Sequence, residues 1–545
     1  MLQPTALPLL LLIFGASAAT FAARVPPRAI RGYDSYDGFP IWNGDYLSEV
    51  GLLRQAALLA QQVNATHSER ETDDVYYVVI DEGWADVRGP EGTKTATRRK
   101  RHPGRSTGGK ETSDSLLTVS GDRPRRSLNA FTWYLDDYGR PIPNPQLFPS
   151  AINSTVGFQP LVSKLKLIDP RFELGVWMLK GITQQAVDDK LPILGTNYTA
   201  ADIALTSMPC VWHTDVFAVN VSHPAGQVFF DSVMSLYASW GISYVKVDCI
   251  FGVGNYDLNN IAAVSLAVTR ANEEHRSGAT VPPMLLSLSP GVLTSNEMAN
   301  SLRDTAANAY RVTGDLWDCW STTLPACPTG RVSVWWSTLQ LANLREQVNE
   351  HGVLDSAQHP DVDMVAVGTI RLGTNHTSTF SFSNIRYIVA LWSIVRSPII
   401  LSGDLSGLSP WLTPDQLSMI LGNKHLLALH VDSIATKLAS FQVESNSSLA
   451  VKSVWTALHV ARQGVAFGVY LYHAGYNSSS EGSETEGVWL NADWNALGIS
   501  FVPVLRVVDL FTGRVIARSV STSGPSFSVW TPVNDAVALR FEPDV

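Results

Sequence analysis

Two short runs in the chain combine residue types that could do acid–base and nucleophilic chemistry. Tyr244-Val245-Lys246-Val247-Asp248 and Arg311-Val312-Thr313-Gly314-Asp315 each end an apolar stretch on an aspartate with a cation shortly before it. Hydrolysis of a glycosidic bond with retention needs two carboxyl groups about 5–5.5 Å apart, one ionised and one carrying a proton. Along an extended strand, Lys246 and Asp248 fall on one side and Val245 and Val247 on the other. The Lys246 ammonium therefore faces the same cavity as Asp248, favours its ionised form and can donate to a substrate hydroxyl, which suits a nucleophile. In the second run an acid/base must hold its proton, so burial or the neighbouring nucleophile has to outweigh the pull of Arg311. Taken alone, either motif also reads as a salt bridge at a strand end.

Something must bring the two aspartates together, and the hydrophobic pattern shows what. Short apolar, β-rich runs at residues 30–33, 75–80, 172–177, 244–247, 284–288, 310–313, 364–367 and 398–401 read as buried parallel strands. Amphipathic stretches such as residues 46–62, 227–240, 258–274 and 334–349 lie between them as helices. Eight strand–helix units over residues 28–435 predict an α/β fold, a (β/α)8 TIM barrel, with a doubly wound sheet as runner-up. No Gly-rich nucleotide loop follows the first strand, which disfavours the runner-up. Asp34, Asp81-Glu82, Asp248, Ser289 and Asp315 directly follow strands, at the end where barrel chemistry resides. One such residue is readily a helix cap; five strands delivering polar groups to the same end point to a site. Beyond residue 440 strands continue without long helices, predicting a C-terminal antiparallel β-sandwich over 440–545.

The 545 residues are 45% hydrophobic and 16% charged, with sixteen Trp and sixteen Tyr, enough for a large core and for aromatic stacking on sugar rings. A net charge of −9 argues against nucleic acid as a partner. Residues 1–23 read as a secretory signal with an apolar centre, although no Lys or Arg precedes it; no later run is long enough to span a bilayer. Once the signal is cleaved, no membrane association is expected. Seven Asn-x-Ser/Thr triplets, at Asn64, Asn153, Asn197, Asn220, Asn375, Asn446 and Asn477, agree with the secretory pathway and an extracellular or lysosomal destination. The four cysteines permit two disulfides and fit no zinc spacing, so no metal is expected. Residues 88–127 hold eleven Lys/Arg against four Asp/Glu among Gly, Pro, Ser and Thr, too polar to pack, and read as a disordered insertion. Its runs Arg98-Arg99-Lys100-Arg101 and Arg123-Pro124-Arg125-Arg126 also look like sites for basic-specific proteases.

The landmarks Arg31-Gly32-Tyr33-Asp34-Ser35-Tyr36, Ile80-Asp81-Glu82-Gly83-Trp84, Asp137 to Arg140, Tyr244 to Cys249, Arg311 to Asp315, and His359-Pro360-Asp361-Val362-Asp363-Met364 occur in order. With Asn423 to Asp432 leading into the β-rich end, they resemble glycoside hydrolase family 27, the α-galactosidase and α-N-acetylgalactosaminidase group, over nearly all of residues 28–545. The resemblance implies Asp248 as nucleophile and Asp315 as acid/base, with no cofactor. Lys246, Arg311, Asp81 and Glu82 would bind hydroxyls of a galactose-like sugar. Tyr36 falls where relatives usually have a stacking Trp, Trp177 at an aromatic wall, and Asp363 near the pocket floor. Cys210 would pair with Cys249, and Cys319 with Cys327. A homodimer is compatible with this picture.

Two departures bear on the sugar. Relatives usually carry Asp-Asp where this chain has Asp81-Glu82, and the extra methylene pushes the carboxylate toward the C6 hydroxymethyl of galactose. Members preferring β-L-arabinopyranoside, which lacks C6, resemble the chain there. Ser289 stands in a segment lacking the Glu that reads the 2-hydroxyl, which suits a 2-acetamido sugar or a rebuilt contact. The expectation is a retaining exo-α-galactosidase. β-L-Arabinopyranosidase and α-N-acetylgalactosaminidase are alternatives of the same mechanism, and a catalytically silent carbohydrate-binding protein is the alternative of another class.

Overall fold

A computed structural model describes residues 29–544 apart from 41–46, 65–73, 87–131, 278–280, 322–330, 349–357, 372–374, 408–412, 414, 417–420, 446–448 and 476–482. The first 28 residues, the basic insertion, Cys327, Asn446 and Asn477 lie outside the described residues.

Eight strands form one parallel sheet: β1 (Arg31–Asp34), β2 (Tyr76–Ile80), β3 (Phe172–Leu179), β4 (Ile242–Phe251), β5 (Leu285–Pro290), β6 (Ala307–Arg311), β7 in two pieces (His359–Asp361 and Val365–Ala366) and β8 (Ile399–Ser402). The first piece of β7 pairs with β6 and the second with β8, while β8 pairs with β1, so the sheet closes on itself. The expected (β/α)8 barrel is the observed one. Strand β6 begins three residues earlier than the 310–313 expected, and β7 begins at His359, because Pro360 and two aspartates hid its β-rich character.

Each strand is followed by a helix: α1 (Glu49–Asn64), α2 (Gln159–Ile168), α3 (Pro224–Ser239), α4 (Leu258–Arg276), α5 (Asn296–Ser301), α6 (Val334–Val348), α7 (Phe382–Ile394) and α8 (Lys424–Asp432). Their starts follow local chemistry. Pro224 opens α3, where its missing N–H costs nothing; Asp257 caps Asn260 at the head of α4; Asn423 accepts from two amides at the head of α8. Among the described residues, no helix is long and apolar enough to cross a membrane.

The rest is antiparallel: β9 (Ser433–Val443), β10 (Val451–His459), β11 (Ala466–His473), β12 (Ser483–Asp493), β13 (Val504–Asp509), β14 (Val515–Ser521), β15 (Ser526–Val533) and β16 (Asp535–Pro543). Six form a sheet in the order β9-β10-β11-β16-β13-β14, and β12 pairs with β15. β12 opens on a Ser- and Glu-rich stretch that carries no apolar alternation. The apolar core runs continuously from the barrel helices into this sheet through Trp455, Phe467, Val469 and Leu471. An additional small three-stranded sheet (Ile182–Thr183, Val216–Val219, Ala204–Pro209) lies between β3 and α3.

Candidate active site

The C-terminal ends of the strands carry the charged groups. Asp34 ends β1, and Asp81 directly follows β2. Lys246 and Asp248 lie on β4; Arg311 ends β6. Lys246 donates from Nζ to Asp81 Oδ2 at 2.8 Å and lies 3.9 Å from Asp34 Oδ2. Burial works against its charge, but Asp81, Asp34 and Asp248 together hold its pKa well above the ordinary lysine value. Asp34 pays the reciprocal cost: burial, then the Asp81 charge, raises its pKa well above the usual carboxylate range. The lysine expected beside Asp248 thus binds two carboxylates from other strands, a partnership invisible to spacing along β4.

Asp248 is fixed on both oxygens. The Trp177 indole N–H donates to Oδ2 at 3.1 Å, and the Cys249 amide donates to Oδ1 at 2.8 Å. Its pKa is nevertheless raised, because burial outweighs Lys246 and both donors. Trp177 is itself held through its carbonyl, which accepts from the Trp84 indole at 2.7 Å. The disulfide joins Cys210 to Cys249, bracing the residue after Asp248 against the loop that follows Ala204–Pro209. Cys319 is buried.

Across the barrel mouth, Asp315 is less buried, with about 30% of its side chain exposed. Arg311 Nη2 approaches its Oδ1 at 3.4 Å and bonds Asp363 Oδ2 at 2.6 Å. Gly291, just past β5, makes room for this arginine: at φ +71° a Cβ would fall 2.2 Å from the Arg311 carbonyl oxygen. Asp363 also accepts from the Leu316 amide at 2.7 Å, fixing the turn that carries Asp315. Asp361 is pushed up to about 6 by burial, against Arg311. Ser289 is buried on β5.

Four participants, Arg331, Trp317, His213 and Asp215, were not singled out from sequence. Arg331 pairs with Asp315 Oδ2 and lies 4.4 Å above the Trp317 ring. Its position after the 322–330 stretch gives no periodic signal. Tyr36, partly buried with Lys246 Nζ 5.8 Å from its ring centroid, connects the two halves. Burial raises its phenol pKa, against Arg331 and with the charges of Glu82 and Asp81. Glu82 Oε1 lies 2.8 Å from His213 Nε2, and His213 Nδ1 lies 3.3 Å from Asp215 Oδ1. Against the effect of burial, Asp215 and Glu82 raise His213 to about 9. The His-x-Asp spacing three residues after Cys210 was the available clue.

No protein-family model matches the chain. It is 27% identical over 216 residues to α-galactosidase A of Cellvibrio japonicus (strain Ueda107), covering 40% of this chain and 46% of that protein. The chain thus spans less than half of that curated relative in the match. In fold it is similar to a family 27 β-L-arabinopyranosidase from Geobacillus stearothermophilus, with TM-score 0.67 and 22% identity over 96% of this chain and 97% of that one. It is also similar in fold to the α-galactosidase MEL1 of Saccharomyces cerevisiae, with TM-score 0.57 and 13% identity over 95% of this chain and 98% of that one. The sequence likeness is thus to part of a curated α-galactosidase, and the likeness to the solved structures is one of fold over nearly the whole chain.

Proposed function

We propose that the protein is a retaining exo-glycosidase that removes a terminal α-galactosyl or closely related residue, with Asp248 as nucleophile and Asp315 as acid/base. The observation that carries this reading is an aspartate on β4 fixed on both oxygens by N–H donors, with a second, more exposed aspartate just after β6. The Trp177 and Cys249 N–H groups hold Asp248 in one orientation, as attack on an anomeric carbon requires. Asp315 donates the proton to the departing oxygen; for that, the Arg331 guanidinium has to leave Oδ2 as the glycoside enters. The bond formed is Asp248 Oδ to the anomeric carbon; the bond broken is anomeric carbon to aglycone oxygen, which leaves with the proton from Asp315. Water, deprotonated by Asp315, then releases the sugar and restores both carboxyl groups. Lys246, Asp81, Glu82, Arg311 and Asp363 supply charged contacts for the sugar hydroxyls, with Tyr36 and Trp177 as aromatic walls.

Glu82 favours a second reading of the sugar. Its carboxylate is anchored at the mouth rather than folded away, which suits a pyranose without C6, as in β-L-arabinopyranosides. Ser289, small and buried, leaves an α-N-acetylgalactosaminide as a third candidate.

The test is turnover of nitrophenyl α-galactoside, β-L-arabinopyranoside and α-N-acetylgalactosaminide by the wild-type chain and by Asp248→Asn. Wild-type turnover with retained anomeric configuration, lost by more than about a thousandfold in the variant, is expected. Near-normal activity of Asp248→Asn would refute the nucleophile. Sugar binding without turnover on any of the three would instead favour a silent binding protein.

A further inference from the structure

Glu82 is held from outside the barrel strands. His213 lies in the loop between Ala204–Pro209 and Val216–Val219, and only 3% of it is exposed. Carboxylates face both of its ring nitrogens, so the geometry calls for an imidazolium that donates to Glu82 from Nε2 and to Asp215 from Nδ1. Asp215 is fixed in turn by the Trp133 indole N–H at 3.2 Å, and the Trp133 and His213 rings lie 6.0 Å apart. The loop backbone is closed by Val216 N–H to the His213 carbonyl at 2.9 Å and Cys210 N–H to the Val216 carbonyl at 2.8 Å. Three residues before His213, the Cys210–Cys249 disulfide ties this loop to the residue whose amide orients Asp248. One short loop therefore sets two carboxylates at once.

We infer that His213 is the positioning residue of Glu82, and that the pair selects among galactose-configured sugars by fixing a carboxylate where the C6 branch would lie. This rests on reading the pocket as a sugar site. A glutamate has enough rotatable bonds to swing aside for a hydroxymethyl group, and ion pairing to a buried imidazolium removes that freedom. Held in place, Glu82 disfavours a sugar with C6 and tolerates one without it. One carbon in a fitted site is worth roughly ten- to two-hundredfold in selection, so a lock on a single side chain suffices.

The experiment is calorimetric titration of the intact protein with L-arabinose and with D-galactose, comparing wild type, His213→Asn, His213→Gln and Asp215→Asn. Asn keeps a donor near the Nδ1 position and loses the reach to Glu82; Gln keeps a donor near the Nε2 position. The affinity ratio should move toward galactose by about tenfold in His213→Asn. It should stay near wild type in His213→Gln and move less, in the same direction, in Asp215→Asn. If both sugars weaken by the same factor in His213→Asn, or if Asn and Gln behave alike, His213 only braces the loop and the inference is overturned. Should His213→Asn not fold, Asp215→Asn reads the same ratio from the far side of the imidazole, and an unmoved ratio there overturns the inference. Binding without turnover would sink the hydrolase reading while leaving this ratio measurable.

Discussion

The mouth of the barrel and its seam with the β-sheet domain solve the problem of buried polar groups in opposite ways. At the mouth, Asp34, Asp81, Lys246, Arg311 and Asp363 are all buried. Burial lifts Asp37 to about 7 and Asp361 to about 6. At the seam, β11 ends on His473, whose ring stacks on Trp320 at 4.3 Å with a 7° interplanar angle. Burial lowers His473 to about 3, and its Nε2 lies 3.1 Å from the Trp320 carbonyl, so the ring is neutral and acts as a flat, mostly apolar contact. Asn384 and Arg386 of α7 complete the seam by donating to the Asn534 and Ala536 carbonyls. At the seam the buried His473 ring is neutral. The mouth keeps charge buried at a cost in stability, which is the expected signature of a site built to act on something.

The two regions also carry opposite pH dependence. The folded pKa of Asp37 lies above its unfolded value of 3.8, so its contribution to stability is full below that value and lost as pH rises toward 7. The folded pKa of His473 lies below its unfolded value of 6.5, so its contribution is present above 6.5 and lost as pH falls toward 3. Acid favours the mouth, and neutral pH favours the seam.

Breaking the seam should have the largest effect on stability. Trp320→Ala removes a fully buried indole that contacts both His473 and Tyr387, and should cost roughly 3–5 kcal/mol. Denaturant unfolding checks the size; a cost below about 1 kcal/mol would mean that the seam is not a shared core. At the mouth the sign should reverse. Asp37→Asn removes a buried carboxylate and should raise Tm, by more at pH 8 than at pH 5, with a gain of about 2–4 kcal/mol at the higher pH. Equal gains at both values would show that burial of this charge is not what costs stability. The smallest effect sharpens the picture of Asp248, whose raised pKa places the acid limb of kcat/KM above the ordinary aspartate range. Trp177→Phe removes a donor to the ionised form and should move that limb further up, by about one pH unit or less. An unmoved limb would separate the indole from the ionisation of Asp248.

Much of the fold was legible because its signals are local. All eight strands overlap their apolar runs, since strands covered on both faces read as near-continuous β-branched and aliphatic stretches. The first piece of β7 shows the limit: His359, Pro360 and Asp361 carry no such pattern, and only pairing with β6 makes them a strand. The two aspartates, Lys246 and Arg311 were legible in the same way, from strand ends and alternation. Their partners were not. That Lys246 binds Asp81 from another strand, that Arg331 reaches Asp315, and that His213 holds Glu82 across 131 positions of sequence follow from where loops return.

Sequence by itself determined the strand–helix units of the barrel, because a continuous apolar run or a period of 3.6 is read within one element and needs no partner. It also determined which carboxylates stand at strand ends. Tertiary structure alone decided how those carboxylates are held, because an ion pair acts through space and depends on burial rather than on chain position. The nucleophile candidate was written in β4. His213 meets Glu82 only in the fold, on a loop that the Cys210–Cys249 disulfide ties to β4.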